Sequence, residues 1–301
     1  MIKLGFIGAG TVGTALAVRL HRKGYPVVAV SSRSRSSAGR FVGMVPGCQV
    51  AGQNQGAAEA AELVFITTPD DVIDQVVSSI KWHSGQSVVH CSGALSTDVL
   101  ATAEAQGAKT GAFHPLQTFA GIKQAIDNLP GSTFALEARE PLLGTLKEMT
   151  AALEGSFIEL GPGDKVLYHA AAVMACNYMV TLVKLATDLW QTFNVPGEQA
   201  TQALMPLLRG TLHNIDTVGI PQCLTGPIAR GDIGTIKKHL AALEKGAPSL
   251  VATYRELGLK TIPIALAKGR ISQNQAEALE ATFKEGEGTG SSETVSPNPG
   301  V

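Results

Sequence analysis

Charge of either sign is in short supply in this 301-residue chain: 24 lysines and arginines stand against 25 aspartates and glutamates, a formal net charge of −1. Without a basic stripe the electrostatic footprint that holds a polyanion is missing, so nucleic acid is not expected as a partner. Cysteine is scarce too. Cys48, Cys91, Cys176 and Cys223 lie far apart, without the paired spacing of a zinc site or a disulfide framework. They read as buried, reduced thiols of a cytoplasmic protein that holds no metal. No uninterrupted apolar run looks long enough and bare enough of polar groups to span a bilayer, and Met1 leads straight into an apolar stretch that leaves no room for a signal peptide. What remains is an apolar share of 45%, ample for a core, in a length that suits two domains.

The chain is organised around its first two dozen residues. Residues 2–7 form an apolar run, Gly8-Ala9-Gly10-Thr11-Val12-Gly13 follows at once, and residues 14–22 carry apolar side chains at helical spacing before Gly24 closes them. In such a strand, turn and helix Gly8 permits the tight turn, Gly10 lets a pyrophosphate approach bare backbone, and Gly13 lets helix and strand pack closely. Thr11 and Val12 open a helix whose free N–H groups and positive dipole end suit phosphate. The plain alternative is a turn that merely joins a strand to a helix.

Residues 26–30 read as the second parallel strand, and what stands at its end selects the cofactor. NAD enzymes usually place an acid there for the ribose hydroxyls. This chain has Ser31-Ser32-Arg33-Ser34-Arg35 instead, and hydroxyls and guanidinium groups hydrogen-bond a 2′-phosphate that a carboxylate would repel. NADP(H) is therefore expected, held by Ser32 and Arg33 and less surely by Arg35; a solvated loop is the alternative.

Residues 63–67 read as the next strand, with Thr68 and Pro69 lining the cofactor site beyond it and Asp70 or Asp71 capping the following helix. A strand over 87–90 ends in His90-Cys91-Ser92-Gly93-Ala94, and Ser96 reads as a helix cap. Another over 110–113 ends in His114-Pro115-Leu116-Gln117-Thr118. Two histidines thus stand at the carboxyl ends of neighbouring strands, where α/β sheets bind ligands and where an imidazole can donate a proton near neutral pH. A structural hydrogen-bonding role is the alternative for each. Strands over 133–136 and 157–160, with a helix over 141–153 between them, complete the sheet.

Gly161-Pro162-Gly163 ends the alternation of strands and helices. The expected division is a dinucleotide-binding domain over 1–161, an all-helical substrate and dimerisation domain over 162–284, and a disordered tail over 285–301 rich in Gly, Ser, Glu and Pro. A long apolar helix over 164–193 should be the buried central post of the second domain. It carries Lys165 and His169 four apart and Asn177 two turns on, polar groups that either satisfy one another or face a ligand cleft. Helices are also expected over 197–214, bent at Pro206, and over 235–245, 249–257, 263–267 and 272–283. In Leu224-Thr225-Gly226-Pro227-Ile228-Ala229-Arg230-Gly231-Asp232 the Arg230 fork suits a carboxylate, with a structural ion pair as its alternative, and Asp232 suits the cap of the next helix.

The first half resembles the NADP-binding domains of pyrroline-5-carboxylate reductase, of 6-phosphogluconate and hydroxyisobutyrate dehydrogenases, and of deazaflavin-dependent NADP reductases. A closer likeness covers nearly all but the tail. The segments around His90, His114, Tyr168-His169-Ala170-Ala171-Ala172 with Asn177-Tyr178, and Thr225 to Asp232 are similar to those of Rossmann-like proteins with a C-terminal helical domain of unknown function. That likeness implies an α/β fold with a Rossmann-type, mostly parallel sheet followed by an all-helical domain, and NADP binding. Hydroxyacid dehydrogenases pair a catalytic lysine with an asparagine one helical turn later. Here His169 stands at that spacing from Lys165 and Asn177 lies too far along, so their mechanism does not transfer. The pair His114-Pro115 is similar to one near the active site of prephenate dehydrogenases.

The expected function is hydride transfer between NADP(H) and a carbonyl, imine or alcohol carbon of a small, carboxylate-bearing substrate. His169 or His114 would be the general acid, Lys165 and Asn177 would orient the reacting atom, and Arg230 would bind the carboxylate, with Thr225 and Ser92 as further substrate contacts. A pyrroline-5-carboxylate reductase-like imine reductase and a non-catalytic NADPH sensor are the alternatives. So apolar a helix also needs covering, which suggests a homodimer through the second domain.

Overall fold

A computed structural model describes residues 1–161 and 163–285. Eight strands form one sheet: β1 (Leu4–Ile7), β2 (Val27–Ser31), β3 (Gln49–Val50), β4 (Leu63–Ile66), β5 (Ser87–His90), β6 (Lys109–Leu116), β7 (Thr133–Ala138) and β8 (Ser156–Glu159). Their order is β3-β2-β1-β4-β5-β6-β7-β8, and every neighbouring pair is parallel except β6 with β7. The order reverses beside β1, so a crevice opens at the carboxyl ends of β1 and β4, where doubly wound folds bind nucleotides.

Through this part run the helices α1 (Thr11–Arg22), α2 (Arg35–Met44), α3 (Asn54–Glu59), α4 (Ile73–Ser78), α5 (Ala101–Ala105), α6 (Ile122–Asn128) and α7 (Leu142–Ala152). Five of the nine phenylalanines lie buried in its core. Phe6, Phe65, Phe113 and Phe134, from β1, β4, β6 and β7, lie in sequence with ring centroids 4.9, 5.9 and 4.7 Å apart, and Phe41 of α2 joins Phe6 at 5.6 Å. Each such pair contributes roughly 0.5–1.5 kcal/mol beyond its buried area. The row also sets register. Side chains alternate along a strand, so burying Phe113 on one face sends His114 to the other, the face of its neighbour Ala112 and of Ala112's partner His90.

Helices alone follow: α8 (Asp164–Ala175), α9 (Asn177–Gln191), α10 (Gly197–Val218), α11 (Ile233–Gly246), α12 (Val251–Ala267) and α13 (Gln273–Lys284). Contacts divide the chain into two compact units, Met1–Tyr178 and Met179–Val301. Strand alternation stops at β8, and α8 goes with the first of these units. The second unit has its own core of Ile236, Leu240, Ile262, Ala265, Ile271, Ala276, Leu279 and Phe283. Asp232 accepts from Thr235 N at 3.0 Å and caps α11, while Ser272 and Gln275 form a capping box on α13.

Several expectations need correcting. The helix expected over 164–193 is interrupted at Cys176, and it is not buried in the single chain: Val166, Leu167 and Met174 are 67%, 78% and 67% exposed. By length and composition the stretch Asp164–Gln191, which holds an 18-residue window of mean hydropathy 1.5, could also cross a membrane, against the expectation that no run is apolar enough. Pro263 does not start a helix but sits inside α12, four residues from its end. His114 stands within β6, not past its end, because pairing with β7 carries the strand on to Leu116. Pro69, not Asp70 or Asp71, occupies the cap position before the turn at Asp70–Val72. The expected tail falls, from residue 286, outside the described residues.

Candidate active site

A cleft of about 630 Å³ opens where the crevice was expected, lined by Gly8, Ala9 and Gly10, by Ser31 to Ser34 with Ser37, by Asn54, and by Thr67, Thr68 and Pro69. Gly8 turns the chain with φ +110°, and a Cβ there would lie 2.6 Å from the Thr67 carbonyl oxygen. Gly13 faces away from the cleft. Its missing side chain makes room for Thr67, whose hydroxyl donates to the Gly8 carbonyl at 2.8 Å. Gly10 is different: a Cβ there would meet only the Thr67 oxygen, at 3.9 Å, so the space in front of it is open. Thr11 and Val12 begin α1 without lining the cleft.

Ser32 and Arg33 line this cleft and Arg35 does not. Ser34 accepts from Ser37 N at 3.2 Å and caps α2. Sequence reasoning missed Asn54, which takes the Ser31 hydroxyl on its Oδ1 at 2.8 Å at the end of β2, where an NAD enzyme keeps its acid. Thr68 Oγ1 is buried beside the cleft with no hydrogen-bond partner among the described residues. An open glycine backbone, a buried hydroxyl lacking an acceptor, and serine and arginine in place of an acid together fit a phosphorylated dinucleotide.

The second arrangement grows from the ends of β5 and β6 and from α8. His90 is fully buried, its Nδ1 accepting from Ser92 N at 3.2 Å and its Nε2 3.2 Å from the Ser96 carbonyl oxygen. Those two partners require a neutral ring with the hydrogen on Nε2. Burial first, then the Lys165 charge, lowers its pKa to about 3. His90 is a strut, with no nitrogen left for a ligand. Ser92, expected to touch substrate, is also committed: its hydroxyl donates to Asp70 Oδ2 at 2.6 Å and accepts from Ala94 N and Leu95 N at 3.2 and 3.0 Å.

Lys165 does not line a cleft. It is 1% exposed, and its Nζ donates to the Ser92 carbonyl at 2.6 Å. Burial pulls its pKa down to about 8, while the charges of Glu137, Cys91 and Asp70 hold it up.

Above this layer His114, Tyr168, His169 and Asn177 line a second cleft of about 630 Å³, together with Gln117, Thr118 and apolar side chains. His114 Nδ1 lies 2.8 Å from the Tyr168 hydroxyl, and the His114 and His169 rings are 6.3 Å apart. Both converge over Gly93. A Cβ on Gly93 would come within 2.6 Å of His169 Cδ2 and 2.8 Å of His114 Nε2. Burial lowers the His114 pKa to about 4, helped by Lys165 and His169. Tyr168, pushed up to about 12 by burial, was missed in the sequence, although it stands beside His169.

Thr68 and Pro69, on the lip of the first cleft, lead into Asp70, which holds Ser92, and the next residue, buried Gly93, packs against both imidazoles of the second. Thr225 and Arg230 belong to the second unit, where both are exposed.

With this geometry in place, comparison with known proteins is informative. Residues 1–115 match the Rossmann-like domain and residues 132–261 a domain of unknown function (DUF2520). The chain joins these two domains. No curated protein matches it. Among solved structures it is similar to a candidate NADP oxidoreductase from Bacteroides fragilis, at 25% identity and a TM-score of 0.69, covering 87% of this chain and 98% of that one. A reductive aminase from Aspergillus terreus, in complex with NADPH and ethyl levulinate, shares 18% identity with a TM-score of 0.64 over 93% of this chain and 99% of that one. The 1-pyrroline-5-carboxylate reductase of Streptococcus pyogenes shares 16% with a TM-score of 0.60 over 93% and 98%. These neighbours are reductases or oxidoreductases on one fold.

Proposed function

We propose that this protein is an NADP(H)-dependent oxidoreductase that reduces, or in reverse forms, a small carbonyl or imine compound. The observation that carries this reading is a link between the two clefts: a dinucleotide cradle whose lip is tied, through Asp70 and Ser92, to the glycine against which two imidazoles of the second cleft pack. Bound NADPH would supply hydride from its nicotinamide, and the protein supplies binding, orientation and a proton. Gly8 to Gly10 and the start of α1 hold the pyrophosphate, while Ser32 and Arg33 hold the 2′-phosphate. His114 or His169 delivers the proton to the reacting oxygen or nitrogen, a task worth roughly 10²- to 10⁴-fold in rate. Asn177 orients that atom at the far side of the cleft. Lys165 acts from beneath, its buried charge adding to the effect of burial in keeping His90 and His114 neutral. Arg230 is the proposed carboxylate ligand, with Thr225 beside it in sequence, and the exposed apolar face of α8 supports a homodimer as the working form.

NADPH and NADH are to be compared by calorimetry, then supplied with a panel of ketoacids, aldehydes and cyclic imines that includes pyrroline-5-carboxylate. The reading expects NADPH to bind more tightly and to be consumed with one class of the panel, and it expects Arg33→Ala to narrow the preference. Equal indifference to both nucleotides at millimolar concentration would refute it. Tight NADPH binding with no turnover throughout would replace it by a sensor.

A further inference from the structure

The Tyr168 hydroxyl, 2.8 Å from His114 Nδ1, has no assigned task, and it decides which nitrogen of His114 faces the cleft. A neutral imidazole carries one hydrogen, on either ring nitrogen, and the partner of one nitrogen fixes the state of the other. Were the hydrogen on Nδ1, it would point at the tyrosine oxygen, and the tyrosine hydrogen would need another acceptor. Among the described residues that hydroxyl has no second hydrogen-bond partner, so its hydrogen would be left to water in the cleft. Were His114 doubly protonated, its charge would face buried Lys165 together with His169 on α8 and His90 on β5. The arrangement that satisfies both groups within the protein has Tyr168 donating to Nδ1 and the hydrogen on Nε2, the nitrogen of this cleft-lining ring that has no hydrogen-bond partner among the described residues.

We propose that Tyr168 is a positioning residue that locks His114 as the neutral Nε2–H tautomer, so that the ring presents a hydrogen-bond and proton donor to the reacting atom of the substrate. The role in turnover rests on the reductase reading above; the tautomer does not. In the reducing direction the Nε2 proton passes to the oxygen or nitrogen whose carbon has accepted hydride. The Tyr168 proton moves to Nδ1 as Nε2 gives up its own; once product has left, Nε2 takes a proton from water in the cleft and the Nδ1 proton returns to the Tyr168 oxygen, which restores the starting tautomer. His114 thus gives a proton without ever becoming a cation, as suits a ring held beside a buried ammonium group.

The test reads the ring nitrogens directly, by long-range ¹H–¹⁵N correlation NMR of histidine-labelled full-length protein, with His114→Gln used for assignment. The proposal expects a single tautomer with Nδ1 unprotonated, staying neutral down to about pH 5, and in Tyr168→Phe a mixture of tautomers whose titration moves upward. Nδ1–H in the wild type, a protonated ring at pH 7, or a Phe variant with an unchanged spectrum would each overturn it. If the Phe variant does not fold, the wild-type spectrum alone decides. Where a substrate is in hand, Tyr168→Phe should lower kcat by up to about tenfold, the size set by one such hydrogen bond, with little change in KM. It should cost nothing further in a His114→Gln background. Absence of turnover with every substrate would sink the reductase reading and leave the tautomer measurement standing.

Discussion

Acid should unfold the first unit through His90. The ring is fully buried, with both nitrogens engaged by Ser92 N and the Ser96 carbonyl, so protonation at Nδ1 would set two donors against each other. Its pKa lies at about 3 in the folded chain, against 6.5 for an ordinary histidine. Between those values the unfolded chain binds a proton that the native chain refuses. Stability therefore rises with pH across this window, and is lost as pH falls below about 6.5. Going from pH 7.5 to pH 5 spans about 1.5 units of the window at roughly 1.4 kcal/mol each, a loss of about 2 kcal/mol from this residue. Urea unfolding at the two pH values can be followed by Trp82, buried in the first unit with Nε1 donating to Val77 O, in a Trp190→Phe background that leaves one tryptophan. His90→Asn keeps an acceptor for Ser92 N–H but cannot titrate. It should start lower at pH 7.5 and lose about 2 kcal/mol less than the parent on acidification. Equal losses in the two proteins would show that His90 is not the group that resists the proton.

Two neighbouring glycines should part company when changed to alanine. Gly10→Ala meets no neighbour closer than 3.9 Å, so melting should be unchanged, while NADPH affinity falls by about tenfold or more, equivalent to about 1.4 kcal/mol, by calorimetry. Gly13→Ala drives a methyl to 2.4 Å from Thr67 Oγ1 and should cost roughly 1–3 kcal/mol in unfolding experiments. Gly93→Ala would press on both imidazoles at 2.6 and 2.8 Å, and should lower turnover by a far larger factor than it lowers calorimetric NADPH affinity. Leu167→Glu, on the exposed face of α8, should shift sedimentation equilibrium from dimer to monomer; a wild-type monomer at tens of micromolar would refute the proposed pairing.

Local pattern carried most of the fold. The glycine turn after β1 and the exact run of β5 over Ser87–His90 follow from apolar runs and punctuation alone, because each element here is short and bounded by turn residues. Pro263 misled for a local reason: proline suggests a helix start, yet packing carries α12 through it. The long helix misled for a non-local one, since hydropathy says that a face wants covering but not what covers it. In the site, the residue types were legible and their division of labour was not. Sequence makes His90 and His114 look alike at the ends of adjacent strands; only the geometry shows one ring with both nitrogens spent and the other lining a cleft with Nδ1 alone engaged among the described residues. Lys165 is comparable, for a lysine on an apolar helix could as well line a cleft as lie sealed beneath one.

The Ser92 hydroxyl bridging to Asp70 bears on kinetics. Seating a nucleotide against Thr68 and Pro69 sets the position of Asp70, and a 2.6 Å tether hands any displacement on to Ser92 and the glycine beneath the rings. The proton donor would then be aligned only once the nucleotide has docked, so turnover should follow a compulsory order, nucleotide on first and off last.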